Sequence, residues 1–187
     1  MKLFLSPHQD DEMLFGAYTL IRKKPFVVIC TSSVVQWERG DGITDAERSR
    51  ETVNALRTIG ITQSGFIGLP DSTATAHQLE DGLRALLGGQ KIERVWAPPI
   101  EGGHKQHDMV GYVATEIWKN KVIYYSTYTK ERLYPLGEIE VKPTAEEIDL
   151  KDKALDCYTS QLRINRAHFD AVRGRSEYLN LHPIPMI

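Results

Sequence analysis

Short apolar runs alternate along the chain with stretches in which apolar residues recur every three or four positions. Short runs bounded by turn residues favour buried strands, and the wider spacing favours helices that face a core. The runs predict five strands, at Lys2–Pro7, Phe26–Ser32, Gly65–Leu69, Arg94–Pro98 and Lys121–Ser126. The spacing predicts four helices among them, at Asp11–Lys24, from a Thr44 cap to about Ile59, at His77–Leu87 and from about His107 to Trp118. This alternation predicts a parallel sheet with right-handed crossovers.

The pattern weakens beyond Thr127. We expect a loop or an irregular strand as far as Val141, followed by one helix over Thr144–Arg163 and a short helical stretch at Asn165–Val172. The remainder has no clear period. Because no repeat, low-complexity segment or linker is visible, we expect one domain over residues 1–187.

Composition excludes several classes of protein. The 187 residues are 41% hydrophobic and 26% charged, with a formal net charge of −2 and no basic cluster, so neither a nucleic-acid partner nor an acidic membrane surface is expected. No apolar run approaches the roughly 18 residues that span a bilayer. Since the first predicted strand starts at residue 2, no signal peptide is expected either. We expect a soluble, cytoplasmic protein.

The segment from His8 to Glu12 contains one imidazole and three carboxylates, at the junction of the first predicted strand and helix. The carboxyl end of a strand is where open α/β sheets usually place their chemistry. Burying a carboxylate costs on the order of 2–5 kcal/mol unless a cation or hydrogen bonds compensate it. A bound divalent metal ion accounts for such a group of acids.

A second cluster, His104–Asp108, follows the fourth predicted strand. Parallel strands end at the same edge of a sheet, so the two clusters can converge, and His8, Asp11 and His107 become candidate ligands. Imidazole and carboxylate ligands together suit zinc, with iron or manganese as alternatives. The metal-free alternative is a solvated helix start beside a polar loop.

The segment Pro7-His8-Gln9-Asp10-Asp11-Glu12 resembles the His-Pro-Asp-Asp-Glu signature of the zinc-dependent de-N-acetylases of the PIG-L/LmbE-like superfamily. The segment Gly102–Asp108 resembles the second motif of that family, His-x-Asp-His. Weaker matches follow the order of the family: Arg48-x-x-Glu51, Leu69-Pro70-Asp71 and Tyr158-x-Ser160-Gln161. The resemblance extends over most of the chain.

The resemblance implies a Rossmann-like α/β fold, a three-layer sandwich whose metal site lies at the carboxyl edge of a mainly parallel sheet. His8, Asp11 and His107 would bind one zinc ion. Asp10 would act as the general base, accepting a proton from zinc-bound water and returning it to the leaving amine. His104 would help to stabilise the oxyanion.

Other positions have less specific implied roles. Arg48 would bind the substrate or fix a carboxylate, with a solvated helix face as the alternative. Asp71 would contact the substrate, with a plain turn residue as the alternative. Glu12 would anchor the loop through hydrogen bonds to backbone donors. Three aromatic residues are candidates for stacking on a sugar, with ordinary packing as the alternative: Trp37, Tyr128 and Tyr134.

Two positions depart from the family pattern, Gln9 in place of a proline and Gln106 in place of an aspartate. If that aspartate pairs with His104 in the family, the neutral Gln106 would lower the pKa of His104 and weaken its charged form. Asp108 or Glu101 could take over the pairing. We expect activity to persist.

The predicted function is zinc-dependent removal of an acetyl group from an N-acetylglucosamine-type sugar. One alternative is hydrolysis of a non-sugar amide, and another is metal binding without catalysis, which Gln106 leaves open. A nucleotide-binding module is disfavoured, because no Gly-x-Gly-x-x-Gly follows the first predicted strand and acids occupy the place of a phosphate. A homo-oligomer in which a neighbouring subunit completes the site is a further possibility.

Overall fold

Seven strands and six α-helices are found in the residues that the computed structural model describes, which are 1–32, 42–128 and 136–182. The strands are β1 (Lys2–Ser6), β2 (Phe26–Ser32), β3 (Ser64–Pro70), β4 (Arg94–Ala97), β5 (Val122–Tyr125), β6 (Ile139–Val141) and β7 (Glu177–Asn180). The helices are α1 (Asp11–Lys23), α2 (Asp45–Thr58), α3 (Ala76–Leu87), α4 (Lys105–Trp118), α5 (Ala145–Leu155) and α6 (Thr159–Asp170). A 3-10 turn at Lys119–Lys121 precedes β5.

The strands form one sheet in the order β3-β2-β1-β4-β5-β7-β6. Strands β1 to β5 run parallel to one another, as predicted from their alternation with helices. Strand β7 runs antiparallel to β5, and β6 runs antiparallel to β7. The antiparallel edge was not predicted.

Helices cover both faces of the sheet, because successive residues of its buried strands point to opposite sides. One buried cluster joins a face of the sheet to α1, α2, α5 and α6 through Phe4, Phe15, Leu56, Leu155 and Phe169. A second cluster joins the other face to α3 and α4 through Leu3, Leu5, Leu83 and Val110. The predicted three-layer, Rossmann-like α/β fold is confirmed.

The single helix predicted over Thr144–Arg163 is wrong, since α5 ends at Leu155 and α6 begins at Thr159. Tyr158, at φ −84° and ψ 58°, leaves the helical conformation and is fully buried. The carboxylate of Glu51, on α2, accepts hydrogen bonds from the backbone N–H of Ser160 at 2.7 Å and from its hydroxyl at 2.6 Å. A carboxylate at a helix N-terminus is stabilising, so contacts with α2 outweigh the local helical pattern.

Strand β7 was not predicted, because its burial depends on an ion pair and not on a run of apolar residues. Glu177 and Lys151 are both buried, with 2.9 Å between Oε1 and Nζ. Lys151 also donates to the carbonyl of Leu14, and Glu177 accepts from the backbone N–H of Tyr18. The pair therefore bonds to two backbone groups of α1 that are four residues apart.

The strand order places a topological switch point between β1 and β4, where successive crossovers pass to opposite faces of the sheet. Open α/β sheets usually bind ligands outside the carboxyl ends of the strands at such a point. The loop after β1 carries the first acidic cluster, and the loop after β4 leads to the second. Within the described residues, no helix has the length and apolar character needed to cross a bilayer.

Candidate metal centre

The loop between β1 and α1 is held in an unusual conformation at Asp10, where φ is 155° and ψ is −26°. L-residues rarely adopt such a backbone, and the cost is on the order of 1–3 kcal/mol. The buried carboxylate of Glu12 holds the turn, since Oε2 accepts from the N–H of Asp10 at 3.2 Å and from the Ser6 hydroxyl at 2.8 Å. Its Oε1 accepts a hydrogen bond from the Tyr158 phenol. The anchoring predicted for Glu12 is confirmed.

Three ligand atoms converge beside this loop. Oδ2 of Asp11 lies 2.9 Å from Nδ1 of His8 and 3.0 Å from Nε2 of His107. Tetrahedral ligands bound at about 2.1 Å lie about 3.4 Å from one another, so this spacing is close to that of ligands on one zinc ion. Nε2 of His107 is buried and makes no hydrogen bond of good geometry among the described residues, although Oδ2 of Asp11 lies 3.0 Å away. A lone pair on Nε2 that points at a metal ion shared with His8 and Asp11 would explain why this nitrogen lacks a good hydrogen bond. These residues therefore fit a metal ion.

The hydrogen-bond network assigns the tautomer of His107. Its Nδ1 lies 3.2 Å from the hydroxyl of Thr127, and that hydroxyl donates to the carbonyl of Tyr128 at 3.3 Å. The oxygen of Thr127 therefore accepts from Nδ1–H of His107. In a metal-bound centre, Nε2 would then carry the lone pair that the ion requires.

Opposing charges dominate the electrostatics of the centre. Burial opposes a charge on His8, but the carboxylates of Asp11 and Asp71 outweigh it and raise its pKa to about 10. Burial likewise opposes ionisation of Asp11, but the imidazoles of His107 and His8 hold its pKa well below the usual range. Without a metal, the centre is a network of charge-assisted hydrogen bonds around an anionic Asp11.

His104 lies beside the centre, with its ring centroid 4.8 Å from that of His8 and 5.1 Å from that of His107. The three histidines present nitrogen atoms within 4.8 Å of one another and could hold a metal ion. Nδ1 of His104 is buried with no hydrogen-bond partner among the described residues. Burial, together with the charges of His8 and His107, lowers the pKa of His104, so the ring is neutral at pH 7.

Gln106 does not pair with His104 in the structure. Its amide donates to the main-chain carbonyl of Asp71 at 2.5 Å. Oδ1 of Asp108 accepts from the N–H groups of Glu101 and Gly102 at 2.9 and 3.1 Å, so this carboxylate caps its own loop. The pKa of His104 is lowered, as expected. Burial and the neighbouring imidazoles cause this lowering, and not the replacement of an aspartate by Gln106.

Arg48 reaches the centre from α2 and is buried. Its Nη2 donates to Oδ2 of Asp10 at 2.8 Å and to the carbonyl of Gln9. Burial raises the pKa of Asp10 to about 6, although the charge of Arg48 acts in the opposite direction. Of the two roles predicted for Arg48, the structure displays the fixing of a carboxylate.

Asp71 lies in the turn after β3, next to His8. Its Oδ1 is 3.0 Å from Nε2 of His8 and accepts from the Thr31 hydroxyl at 3.3 Å. Burial would raise the pKa of Asp71, but the hydrogen bond and charge of His8 lower it overall. All seven candidate site residues thus lie in one connected group, while their roles stay predictions.

An aromatic wall, defined as Phe15, Tyr128 and His168, borders the centre. The ring centroid of Tyr128 lies 5.8 Å from that of His107, 5.7 Å from that of Phe15 and 4.8 Å from that of His168. His168, on α6, was not predicted because no motif surrounds it and its stretch has a weak period. Trp37 and Tyr134 lie outside the described residues.

The sequence profile of the PIG-L family, described as GlcNAc-PI de-N-acetylase, matches residues 3–118. The chain belongs to this family. The matched segment runs from β1 to the end of α4 and contains all seven candidate site residues. Two members of the aromatic wall, Tyr128 and His168, lie beyond it.

Solved structures share the fold of this PIG-L family member. A deacetylase from the teicoplanin biosynthesis pathway superposes with a TM-score of 0.73 at 15% identity, covering 95% of this chain and 96% of its own. N,N'-diacetylchitobiose deacetylase from Pyrococcus horikoshii gives 0.69 at 17% identity, covering 95% and 82%. GalB, the 4-carboxy-2-hydroxymuconate hydratase from Pseudomonas putida KT2440, gives 0.68 at 16% identity, covering 100% and 99%.

The presence of a hydratase beside two deacetylases means that this fold alone does not determine the reaction. A search of the curated proteins finds none that matches this chain. Family membership and the geometry of the site are therefore what indicate a function.

Proposed function

We propose that this chain is a zinc-dependent N-deacetylase that removes an acetyl group from an N-acetylated sugar. The observation that carries the proposal is the position of Oδ2 of Asp11, which lies 2.9 Å from Nδ1 of His8 and 3.0 Å from Nε2 of His107. The lack of a good hydrogen bond at the buried Nε2 of His107 among the described residues supports it, as does membership of a family described as a de-N-acetylase.

The residues around the centre suit amide hydrolysis. A zinc ion held by His8, Asp11 and His107 would lower the pKa of bound water and polarise the amide carbonyl. Asp10 precedes a proposed ligand in sequence, and its carboxylate is fixed by Arg48. It would accept the proton of the attacking water and pass it to the leaving amine.

His104 would act on the carbonyl oxygen. A neutral imidazole can donate one N–H to the negative charge that develops there, and a donor placed in advance needs no reorganisation. Its ring centroid lies 4.8 Å from that of His8 and 5.1 Å from that of His107, and this closeness to both proposed ligands supports the role. The other candidate role is that of a metal ligand, which its place among the three histidines allows.

A sugar is proposed as the acyl carrier for two reasons. The family description names an N-acetylglucosamine derivative, and one structural neighbour is a diacetylchitobiose deacetylase. In the aromatic wall, the half-buried Tyr128 and His168 are rings of the kind that pack on a sugar, whereas Phe15 is buried behind them. The alternative substrate is a non-sugar amide.

Acetate release tests the proposal. Zinc-loaded protein is incubated with a panel of N-acetylated sugars and with N-acetylated amines that lack a sugar, beside the Asp10→Asn variant. We expect acetate from the sugars and at least 100-fold less from the variant, because loss of a general base typically costs 10²–10⁴-fold in rate. Acetate from the non-sugar amides alone would favour the alternative substrate. No acetate from any compound would contradict the proposal.

A further inference from the structure

Asp71 contacts His8 on the side of the imidazole that faces away from Asp11. Oδ1 of Asp71 lies 3.0 Å from Nε2 of His8, while Nδ1 of the same ring lies 2.9 Å from Oδ2 of Asp11. An ionised carboxylate can only accept, so Nε2 of His8 carries a proton that it donates to Asp71. A metal shared with Asp11 would replace the second proton of the ring, the one on Nδ1.

The turn that carries Asp71 does not need this carboxylate for its own closure. The N–H groups of Thr73 and Ala74 donate to the carbonyl of Pro70, at 3.2 and 2.8 Å, and the N–H of Asp71 donates to the carbonyl of Ser32 at 3.1 Å. A turn-forming aspartate typically accepts from backbone N–H groups two residues on. Here the contacts recorded for the carboxylate are with His8 and Thr31.

Gln106 braces the same residue from α4. Its amide donates to the main-chain carbonyl of Asp71, and the next residue along the helix is His107. The turn behind one proposed ligand is thereby joined to the helix that carries another. The glutamine that departs from the family motif thus has a structural partner in this chain.

We propose that Asp71 is a positioning residue for the metal centre, holding the ring of His8 through Nε2–H so that Nδ1 points at the ion. The inference rests on the proposed function, because it assumes a metal held by His8, Asp11 and His107. Carboxylates that accept from the second nitrogen of a ligand histidine fix its tautomer and orientation, and their loss typically weakens metal affinity 10–100-fold. A substrate contact would have no such effect.

The test is zinc affinity, measured on the metal-free protein by competition with a chromophoric chelator. We expect Asp71→Ala to bind zinc about 10–100-fold more weakly than wild type. Asp71→Asn keeps an acceptor oxygen and the shape of the side chain, so it should lose less, about 3–10-fold. Ser72→Ala, at the exposed neighbouring position, is the matched control and should bind as wild type does. Circular dichroism checks that each metal-free variant is folded. If Asp71→Ala does not fold, the zinc affinity of Asp71→Asn alone decides the test.

Kinetics at saturating zinc separate positioning from substrate binding. A positioning role predicts that Asp71→Asn has the KM of wild type once zinc is saturating. Wild-type zinc affinity in every folded Asp71 variant would overturn the inference, and a raised KM with that affinity would assign Asp71 to the substrate. Failure of wild type itself to bind zinc would overturn the proposed function, and the inference with it.

Discussion

The phenol of Tyr158 donates a hydrogen bond to the carboxylate of Glu12, joining residues 146 positions apart in the sequence. Both side chains are fully buried. Burial raises the pKa of Glu12 to about 7, even though the hydrogen bonds of Tyr158 and Ser6 lower it. The break between α5 and α6 is what brings Tyr158 to the loop that carries His8, Asp10 and Asp11.

Removing the Tyr158 hydroxyl should destabilise the protein. In Tyr158→Phe, Oε1 of the buried Glu12 loses its donor, and an unsatisfied buried acceptor costs about 1–3 kcal/mol. Urea unfolding measures the loss. Tyr112→Phe, on the exposed face of α4 at 50% exposure, is the control and should change the free energy of unfolding by less than about 0.5 kcal/mol. Equal stabilities of the two variants would show that the Tyr158–Glu12 contact contributes nothing.

The backbone strain at Asp10 predicts an ordering of two variants. Asp10→Gly and Asp10→Ala both remove the ion pair with Arg48, but only glycine adopts φ 155° easily. We expect Asp10→Gly to be more stable than Asp10→Ala by about 1 kcal/mol, with neither variant active. Thermal unfolding of the metal-free proteins gives the comparison. An alanine variant as stable as the glycine variant would mean that Asp10 is not strained.

The ion pair between Arg22 and Glu147 predicts a dependence of stability on pH. Hydrogen bonds from Arg22, 2.7 Å long at both oxygens, are the largest influence that holds the pKa of Glu147 at about 2, below its ordinary 4.5. A depressed folded-state pKa stabilises the protein above pH 4.5, and this contribution disappears as the pH falls towards 2. Because Arg22 is about one-third exposed, we expect a contribution of about 1 kcal/mol or less.

Glu147→Gln tests this contribution, because glutamine can still complete the capping box with Thr144. The difference in unfolding free energy between wild type and Glu147→Gln should be largest at neutral pH and should shrink below pH 4.5. Glu146→Gln, an exposed neighbour in the same turn, should show no comparable trend. A difference for Glu147→Gln that stays constant down to pH 3 would contradict the account.

Replacing only one partner of the buried Lys151–Glu177 ion pair should greatly lower the free energy of unfolding. Lys151→Met leaves the carboxylate of Glu177 buried without its cation, which typically costs about 3–5 kcal/mol. The double variant Lys151→Met/Glu177→Gln removes the orphan charge and should recover at least half of that loss. Denaturant unfolding of Lys151→Met, Glu177→Gln and the double variant measures these losses and the coupling between the two residues. A loss of less than about 1 kcal/mol in the unfolding free energy of Lys151→Met would be inconsistent with a buried, paired carboxylate at Glu177.

The part of the fold that the sequence predicted well is the part built on local periodicity. The pattern of β1 to β5 with α1 to α4 needs only apolar runs and helical spacing, and the carboxyl-edge rule then brings His8 and His107 together. The structure confirms this convergence. The late region was less predictable because Tyr158, Lys151 and Glu177 are buried through partners distant in sequence, and a polar residue carries no local sign of such a partner.

The contacts of Gln106 and His168 at the site could not be predicted from the sequence for the same reason. The contact of Gln106 with Asp71 joins α4 to the turn after β3, and only the folded chain shows which side chain a polar residue reaches. His168 contributes to the aromatic wall from a helix whose spacing is irregular, with Asn165 at φ −145° and ψ 39° within it. Motif spacing identified the residues proposed for chemistry, the loop anchor Glu12 and the contact of Arg48 with a carboxylate, but it could not identify the contacts of Gln106 and His168.

The central claim is that zinc, held by His8, Asp11 and His107, is required for removal of an acetyl group from a sugar. The most direct test titrates the metal-free protein with zinc while acetate release from an N-acetylated sugar is recorded. We expect the rate to rise in proportion to added zinc and to reach a plateau at one ion per chain, with no rise for His107→Ala. Full activity without metal, or zinc bound by wild type without any release of acetate, would contradict the claim.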